Sequence, residues 1–197
     1  MRVLILGHTG MLGSTVCDYL HSLDSVSIVT IKHRWSTNSF KTAIKNFDGD
    51  YIVNCIGAIP QRTDKFEINY ELPIWLDKNV TCRVIHQDTD MKREEDDYAF
   101  SKAEASMFIS FDGKRTKMLK TSILGHDKSK VCLLDWFLNS KDNVFGYTDS
   151  YSNGNTTLEW AKQVYKMMNN WERYAKCTTI STDCISKYEL LNLFKEV

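Results

Sequence analysis

The sequence predicts an α/β fold with a doubly wound parallel sheet, and three observations lead there. Short apolar or β-branched runs alternate with helical patterns along most of the chain. Two of those runs, Arg2 to Leu6 and Tyr51 to Ile56, are apolar at successive positions, as strands covered on both faces are. The first of them leads straight into a glycine-rich turn and then a helix.

Arg2 to Leu6 is the first strand, and a helix follows from about Met11, with Leu12, Val16, Tyr19 and Leu20 on one stripe. Ser25 to Ile31 alternates and is rich in β-branched residues, so it reads as a second strand. Lys41 to Phe47 carries a helical pattern, Tyr51 to Ile56 is a buried strand, and Ile68 to Leu76 is helical with Pro73 in an early turn. Arg83 to His86 begins a strand, Tyr98 to Ile109 is a helix, and Met118 to Leu124 is the next strand. The alternation breaks between Val131 and Thr157, where a helix around Leu133 to Leu138 is followed by loops of Gly, Tyr, Asn and Ser. Leu158 to Asn170 and Ser186 to Glu196 are helical again, with a strand at Cys177 to Ser181 between them. The expected organisation is one compact domain: a core over residues 1–125, a small substrate lobe over 126–157, and returning helices and strand over 158–197 that complete the core.

Bulk properties narrow the function. At 197 residues there is room for one good core. Charged residues make up 25% of the chain and sum to zero, which argues against a nucleic-acid or acidic-lipid partner, since these call for a basic excess. The longest apolar runs, such as Val3 to Leu6, are too short to span a bilayer. Met1 leads directly into the first strand, so no leader is expected and the reading is cytoplasmic. Cys17, Cys55, Cys82, Cys132, Cys177 and Cys184 show neither CxxC pairing nor metal spacing with His, so they read as reduced thiols, and no metal is expected.

Gly7-His8-Thr9-Gly10-Met11-Leu12-Gly13 is a GxxGxxG that leaves a strand and opens a helix. One glycine allows the tight turn, one lets a pyrophosphate approach the backbone, and one lets the helix pack close to the strand. The anion would sit on the N–H groups at the helix N-terminus. Residues Gly7, Thr9, Gly10, Met11, Leu12 and Gly13 are therefore cofactor-binding candidates in a Rossmann-type core. The second strand ends Lys32-His33-Arg34, where an NAD-specific site places a carboxylate for the ribose 2′-hydroxyl. Three cationic or potentially cationic groups favour a 2′-phosphate, so the expected cofactor is NADP(H), with NAD(H) as the alternative.

Tyr98 and Lys102 form a YxxxK on a helix, and a separation of four puts both side chains on one face. An ammonium beside a phenol favours phenolate and would bring the tyrosine down from about 10 toward neutral pH. Tyr98 then becomes a candidate proton donor to a carbonyl undergoing reduction.

With these motifs in place, the chain resembles the extended short-chain dehydrogenase/reductase family, in particular its dTDP-4-dehydrorhamnose reductase-like group. The resemblance rests on LILGHTGMLG, YIVNCIGAIPQ, INYELPIWL, VIHQDTD, YAFSKAEAS, LKTSILG, LLDWF, GYTDSYSNGNTTLEWAK and ISKYELL, which follow in family order. It implies hydride transfer from a nicotinamide to the 4-keto group of a nucleotide-linked 4-keto-6-deoxy sugar, in deoxysugar or glycan biosynthesis. Tyr98 would protonate the alkoxide, Lys102 would hold the nicotinamide ribose, and Thr89 would hydrogen-bond the keto oxygen. Asn54, Cys55, Gly57 and Ala58 would join the cofactor site, the last two and Asn54 on its adenine-ribose side. Asn69 would be a mostly structural residue near the site. Asn153, Gly154 and Thr156, in the segment resembling the loop over the sugar nucleotide, would be substrate-side residues. A homodimer is the family-level oligomeric expectation.

The chain also departs from that pattern. Eight residues separate Thr89 from Tyr98, where the family has a longer loop. The family's Ser-Thr-Asp reads Asp88-Thr89-Asp90, and a carboxylate near a carbonyl gaining negative charge is unhelpful unless it points away. The chain is also shorter than the group. These departures support an alternative, a non-catalytic cofactor-binding regulatory or scaffold subunit, and a sugar-nucleotide epimerase or dehydratase is a further one. Elsewhere, His8 could touch phosphate or face solvent, and His86 reads as a core histidine. Trp136 and Phe137 read as core, and the acidic run Glu94 to Asp97 reads as a solvated lead-in to the Tyr98 helix.

Overall fold

A computed structural model describes residues 1–92, 94 and 96–196 of the chain. Its centre is a six-stranded sheet of β1 (Arg2–Leu6), β2 (Ser27–Thr30), β3 (Tyr51–Asn54), β4 (Arg83–Asp88), β5 (Thr116–Lys120) and β9 (Cys177–Thr179). The strands run in the order β2-β1-β3-β4-β5-β9, and every pair is parallel. On one face, α1 (Met11–His21) and α6 (Thr157–Asn169) bury Leu12, Val16, Trp160 and Val164 against Val3, Ile5 and Val53. On the other, α2 (Asn38–Lys45) and α3 (Ile68–Asn79) bury Phe40, Ile44, Leu72 and Leu76 against Leu4, Leu6, Ile52 and Val84. Successive strand residues point to opposite faces, which is why both layers draw on uninterrupted apolar runs. Each fully buried side chain of this size contributes about 1.5–3 kcal/mol.

Strand β1 lies between β2 and β3, so the chain order reverses there. In open α/β sheets such a reversal leaves a crevice beyond the carboxyl ends of the flanking strands. Those ends are Leu6 and Asn54, and the glycine turn and the β3 loop begin there.

Helix α4 (Asp97–Phe111) packs beside α3 on the second face and buries Ala99, Ser101, Lys102, Ala105, Ser106 and Ile109. Asp96 caps it, accepting a hydrogen bond from Ala99 N at 2.7 Å, while Asp97 places charge in the first turn. Glu95 of that acidic run lies outside the described residues. Helix α2 starts earlier than its apolar pattern suggests because Thr37 accepts from Phe40 N at 3.2 Å. Pro73 lies beyond the first turn of α3, at the position whose amide would otherwise donate to the Asn69 carbonyl.

The expected strand over 118–124 is two strands. After Lys120 the chain leaves the large sheet, and β6 (Ile123–Leu124) pairs with β8 (Asn155–Thr156). Asn155 fixes this divergence from a buried position, donating to Thr121 Oγ1 at 2.9 Å and to the Ile180 carbonyl at 3.2 Å. Also outside the large sheet are α5 (Leu133–Asn139), β7 (Tyr151–Ser152) and β10 (Ile185–Ser186), the last two paired antiparallel. Helix α7 (Lys187–Phe194) buries Leu190, Leu191 and Phe194 against Leu133, Leu134 and Phe137. Within residues 158–197, α6 packs on the large sheet, β9 joins it, and α7 packs with α5. Trp136, expected in a core, is 46% exposed because α5 turns Leu133, Leu134 and Phe137 toward α7. Among the described residues, no helix is long and apolar enough to cross a membrane.

Candidate active site

The three glycines of the β1–α1 turn meet three different demands. Gly7 has φ +77°, and a Cβ on it would come 3.1 Å from the Cys55 carbonyl carbon. A Cβ on Gly13 would lie 2.1 Å from Gly7 O, so α1 can approach the strand only with glycine there. A Cβ on Gly10 would meet only Gly7 O, at 3.4 Å, which leaves its outer side open. No side chain caps α1 and no acidic residue occupies its first turn, so its N-terminal dipole is available to an anion. These residues fit the pyrophosphate of a dinucleotide.

Two cavities flank this turn. One, of about 500 Å³, is lined by Gly7, His8, Thr9, Lys32, His33 and Arg34, with Ile31, Trp35, Ile56 and Ile68 as apolar wall. The other, of about 610 Å³, is lined by Gly10, Met11, Leu12, Cys55, Gly57 and Ala58 on one side and by Thr89, Tyr98 and Lys102 on another. The candidates from the glycine turn, the end of β2, the β3 loop and α4 thus share one edge of the sheet. Gly57 and Ala58 line the larger cavity together with Tyr98. Asn54 lines neither cavity. It is fully buried, donates to His86 Nδ1 at 2.9 Å and accepts from Ile56 N at 3.1 Å, so it shapes the β3 loop from beneath.

Tyr98 shares the wall of the larger cavity with Thr89 and stacks edge-on against Phe66, with ring centroids 5.9 Å apart. Burial, with the Asp88 carboxylate acting in the same direction, pushes its phenol up to about 12. This reverses the downward shift expected from Lys102. The physical reason lies in where the lysine points: Lys102 Nζ donates to Gln87 O at 3.1 Å and to Gln87 Oε1 at 3.0 Å. Lys102 is 1% exposed, and burial pushes its ammonium down to about 8, with Asp88 opposing. A Cβ on Gly57 would lie 3.3 Å from Lys102 Nζ and 3.3 Å from Asn69 Oδ1, so this glycine gives the lysine access to the β3 loop.

A polar layer supports α4 from below. Asn69 receives Ala58 N at 2.8 Å and donates to Ala58 O at 3.1 Å and Ser101 Oγ at 3.0 Å, tying the β3 loop to α4. Asp88, 1% exposed, accepts from Ser106 Oγ and pairs with Lys120 Nζ at 3.2 Å, while its Oδ1 has no partner. His86 is fully buried with Nε2 unpartnered, and burial, reinforced by Lys102, holds it neutral by lowering its pKa well below the usual range.

The substrate-side candidates have structural work in this state. Thr156 caps α6 through Glu159 N at 3.1 Å, and the Asn153 carbonyl accepts from Thr182 N at 3.1 Å. A Cβ on Gly154 would come 2.9 Å from Ser122 O. The neighbouring Ser152, rather than these three, lines the larger cavity, together with Ser122, Ile123, Cys132 and Leu133. The sequence reading also passed over Gln87 and over Arg62, which lines the cavity and pairs with Asp127 at 2.5 Å. An arginine in a loop following a core strand, ahead of Asp127 on the opposite loop, gave no local pattern that would have paired them. Among the described residues, no group of three or more His, Cys, Asp or Glu is placed to hold a metal ion.

Residues 3–71, from β1 into the start of α3, match the NAD dependent epimerase/dehydratase family. No curated protein sequence matches the chain. Among solved structures, the chain is similar to a dTDP-4-dehydrorhamnose reductase from Clostridium acetobutylicum at 18% identity, covering 100% of this chain and 80% of that one, with a TM-score of 0.72. It is similar to the dTDP-4-dehydrorhamnose reductase of Bacillus anthracis in complex with NADP at 14% identity, covering 99% and 80%, with a TM-score of 0.69. It is also similar to the ADP-L-glycero-D-manno-heptose-6-epimerase of Helicobacter pylori at 13% identity, covering 99% and 81%, with a TM-score of 0.79. The likeness to these structures is one of fold, and reductase and epimerase share it.

Proposed function

We propose that the protein is an NADP(H)-dependent reductase of the 4-keto group on a nucleotide-linked 4-keto-6-deoxy sugar. One observation carries this reading: Tyr98, Thr89 and Lys102 line the same cavity as the glycine turn. The family match over residues 3–71 and the reductases of like fold support it. Lys32, His33 and Arg34 around the smaller cavity favour a 2′-phosphate over the bare ribose hydroxyl of NAD(H).

A bound reduced nicotinamide would supply the hydride to the carbonyl carbon. Thr89 orients the carbonyl oxygen toward Tyr98, and Tyr98 gives that oxygen its phenolic proton. The Tyr98 phenolate left behind regains a proton from solvent. Lys102, beside Gly57 and Ala58, offers its ammonium to the cofactor ribose once it leaves Gln87.

Two other readings keep specific support. An epimerase of like fold is also similar, with a TM-score of 0.79, and epimerisation by oxidation and re-reduction would use the same Tyr98 and Lys102. A binding-only subunit is favoured by Asp88, which stands where the resembled family has a serine. Fluorescence titration with NADPH and NADH, followed by turnover of 4-keto-6-deoxy sugars linked to dTDP, UDP or GDP, with product analysis for an epimerised sugar, separates the three. Tight NADPH binding with reduction supports the proposal, whereas binding with no reduction of any of these sugars supports the scaffold.

A further inference from the structure

Arg62 is the cation of the larger cavity that the proposed chemistry leaves without a task. Among the described residues lining that cavity, Arg62 and Lys102 are the cations, and Lys102 is bonded to Gln87 and assigned to the cofactor ribose. Arg62 sits in the loop after β3, where its own N–H and that of Thr63 both donate to the Ile59 carbonyl, at 3.0 and 3.2 Å. The chain therefore makes one tight turn there. From that turn the guanidinium reaches the loop between β6 and α5, where Nη2 donates to Asp127 Oδ1 at 2.5 Å and to Ser129 Oγ at 2.7 Å.

The receiving loop is itself fixed. Asp127 is 4% exposed, and its second oxygen accepts from Ser129 Oγ at 2.5 Å. Its N–H donates to Asp135 Oδ2 in the first turn of α5, and Lys130 N closes the turn on the Asp127 carbonyl at 2.8 Å. Burial alone would raise the Asp127 pKa, but the bonds from Ser129 and Arg62 prevail and lower it to about 2, so the carboxylate is ionised at neutral pH. A guanidinium held by a buried carboxylate has lost much of its rotamer freedom before any ligand arrives, which favours binding. Only Nη2 is engaged. Nη1 and Nε have no hydrogen-bond partner among the described residues, and the side chain is 44% exposed. Their N–H groups lie in the guanidinium plane, a geometry that suits phosphate oxygens.

We propose that Arg62 is a substrate-binding residue that takes the diphosphate of the nucleotide-linked sugar, with Asp127 and Ser129 holding it in position. This rests on the reading of the larger cavity as the place where a nucleotide sugar meets the nicotinamide. A diphosphate there has two sources, the cofactor and the sugar nucleotide, and the placement of Arg62 favours the second. The cofactor's pyrophosphate already has the uncapped N-terminus of α1, at Gly10, Met11 and Leu12. Arg62 is tied instead to the loop that leads into Cys132 and Leu133, which with Ser152 wall the cavity outside the large sheet. Asp127 offsets part of the arginine's charge, so recognition relies on directed N–H groups more than on long-range attraction.

The test is calorimetric titration of the full chain with dTDP, UDP and GDP, with and without saturating NADPH, comparing wild type with Arg62→Gln. NADPH is titrated separately into each. The expected result is that wild type binds at least one of these nucleoside diphosphates and Arg62→Gln binds it about tenfold or more weakly, with NADPH affinity retained. An affinity for the nucleoside diphosphates that the substitution leaves unchanged overturns the proposal, and so does a wild type that binds none of the three. An equal loss for NADPH overturns it too, because it assigns Arg62 to the cofactor's pyrophosphate or to the shape of the whole cavity. If Arg62→Gln does not fold because Asp127 is left unpaired, Arg62→Lys keeps the ion pair and gives the same comparison, since its one nitrogen is committed to Asp127. These titrations need no turnover. If the nucleoside diphosphates bind through Arg62 and no keto sugar is reduced, the proposed reductase fails while this assignment stands. If a keto sugar is reduced and Arg62→Gln binds the diphosphates as wild type does, the reverse holds.

Discussion

The Lys102 ammonium is held by both oxygens of Gln87, at 3.1 Å from the backbone oxygen and 3.0 Å from the side-chain oxygen. In this state the lysine is bonded to the end of β4 and not to Tyr98. Burying an ammonium costs stability, and here that cost has a pH signature. Its pKa is about 8 in the fold and about 10.4 in the unfolded chain, so the unfolded state binds more protons between those values. Stability therefore rises as pH increases through that window, and the full penalty applies below it. Lys102→Met is expected to be more stable than wild type at pH 7, by up to about 3 kcal/mol, and to lose this advantage toward pH 10. Urea melts at a series of pH values check this, and its turnover is expected to fall at least about a hundredfold.

Asp77 gives the opposite pH dependence. It is 3% exposed and accepts N–H bonds from Lys114, Arg115 and Thr116, fastening the turn before β5 to the end of α3. Burial alone would raise its pKa, but those hydrogen bonds prevail and lower it. A depressed carboxyl stabilises the fold above its unfolded value of about 3.9, and this contribution is lost as pH falls through the folded value. Asp77→Asn is expected to cost about 2–3 kcal/mol at pH 7, with a smaller difference in acid. Chemical denaturation at neutral and acid pH measures both.

The glycines of the first turn should separate folding from binding. Gly13→Ala places a carbon against Gly7 O, and pushing α1 away is expected to cost about 1–3 kcal/mol. Gly10→Ala meets only Gly7 O, so it should melt close to wild type yet bind NADPH at least about tenfold more weakly. Thermal melts paired with NADPH fluorescence titrations distinguish the two.

Arg34→Ala and Lys32→Ala test cofactor choice. Each is expected to weaken NADPH binding about tenfold or more and to leave NADH binding little changed, since only the 2′-phosphate is lost from their reach. Equal losses for both cofactors would remove the argument for NADP(H).

Much of the fold was legible because its signals are local. The run into Gly7, the stripe of α1 and the buried strand at Tyr51 depend on neighbours in sequence, and they appear where the sequence puts them. The break of β5 at Lys120 was not legible, because residues 118–124 are uniformly strand-like and the divergence is fixed by Asn155, which lies far along the chain. The packing of α7 on α5 rather than on the large sheet was hidden for the same reason. At the site, the residue types and spacing of Tyr98 and Lys102 were visible, but the direction of the tyrosine shift was not. Spacing places two side chains on one helix face, whereas their charges respond to Gln87 and Asp88 on β4. Asn54 and Arg62 show what spacing leaves out: the bonds of Asn54 to His86 and Ile56 join separate elements, and Arg62 lines the cavity but belongs to no motif.

The central claim is tested most directly by NADPH oxidation with a panel of nucleotide-linked 4-keto-6-deoxy sugars, comparing wild type with Tyr98→Phe. The account predicts turnover by wild type on at least one of them and a loss of about a hundredfold or more in Tyr98→Phe, with NADPH affinity retained. Turnover that survives in Tyr98→Phe, or clear NADPH binding with no reduction of any member of the panel, would contradict it.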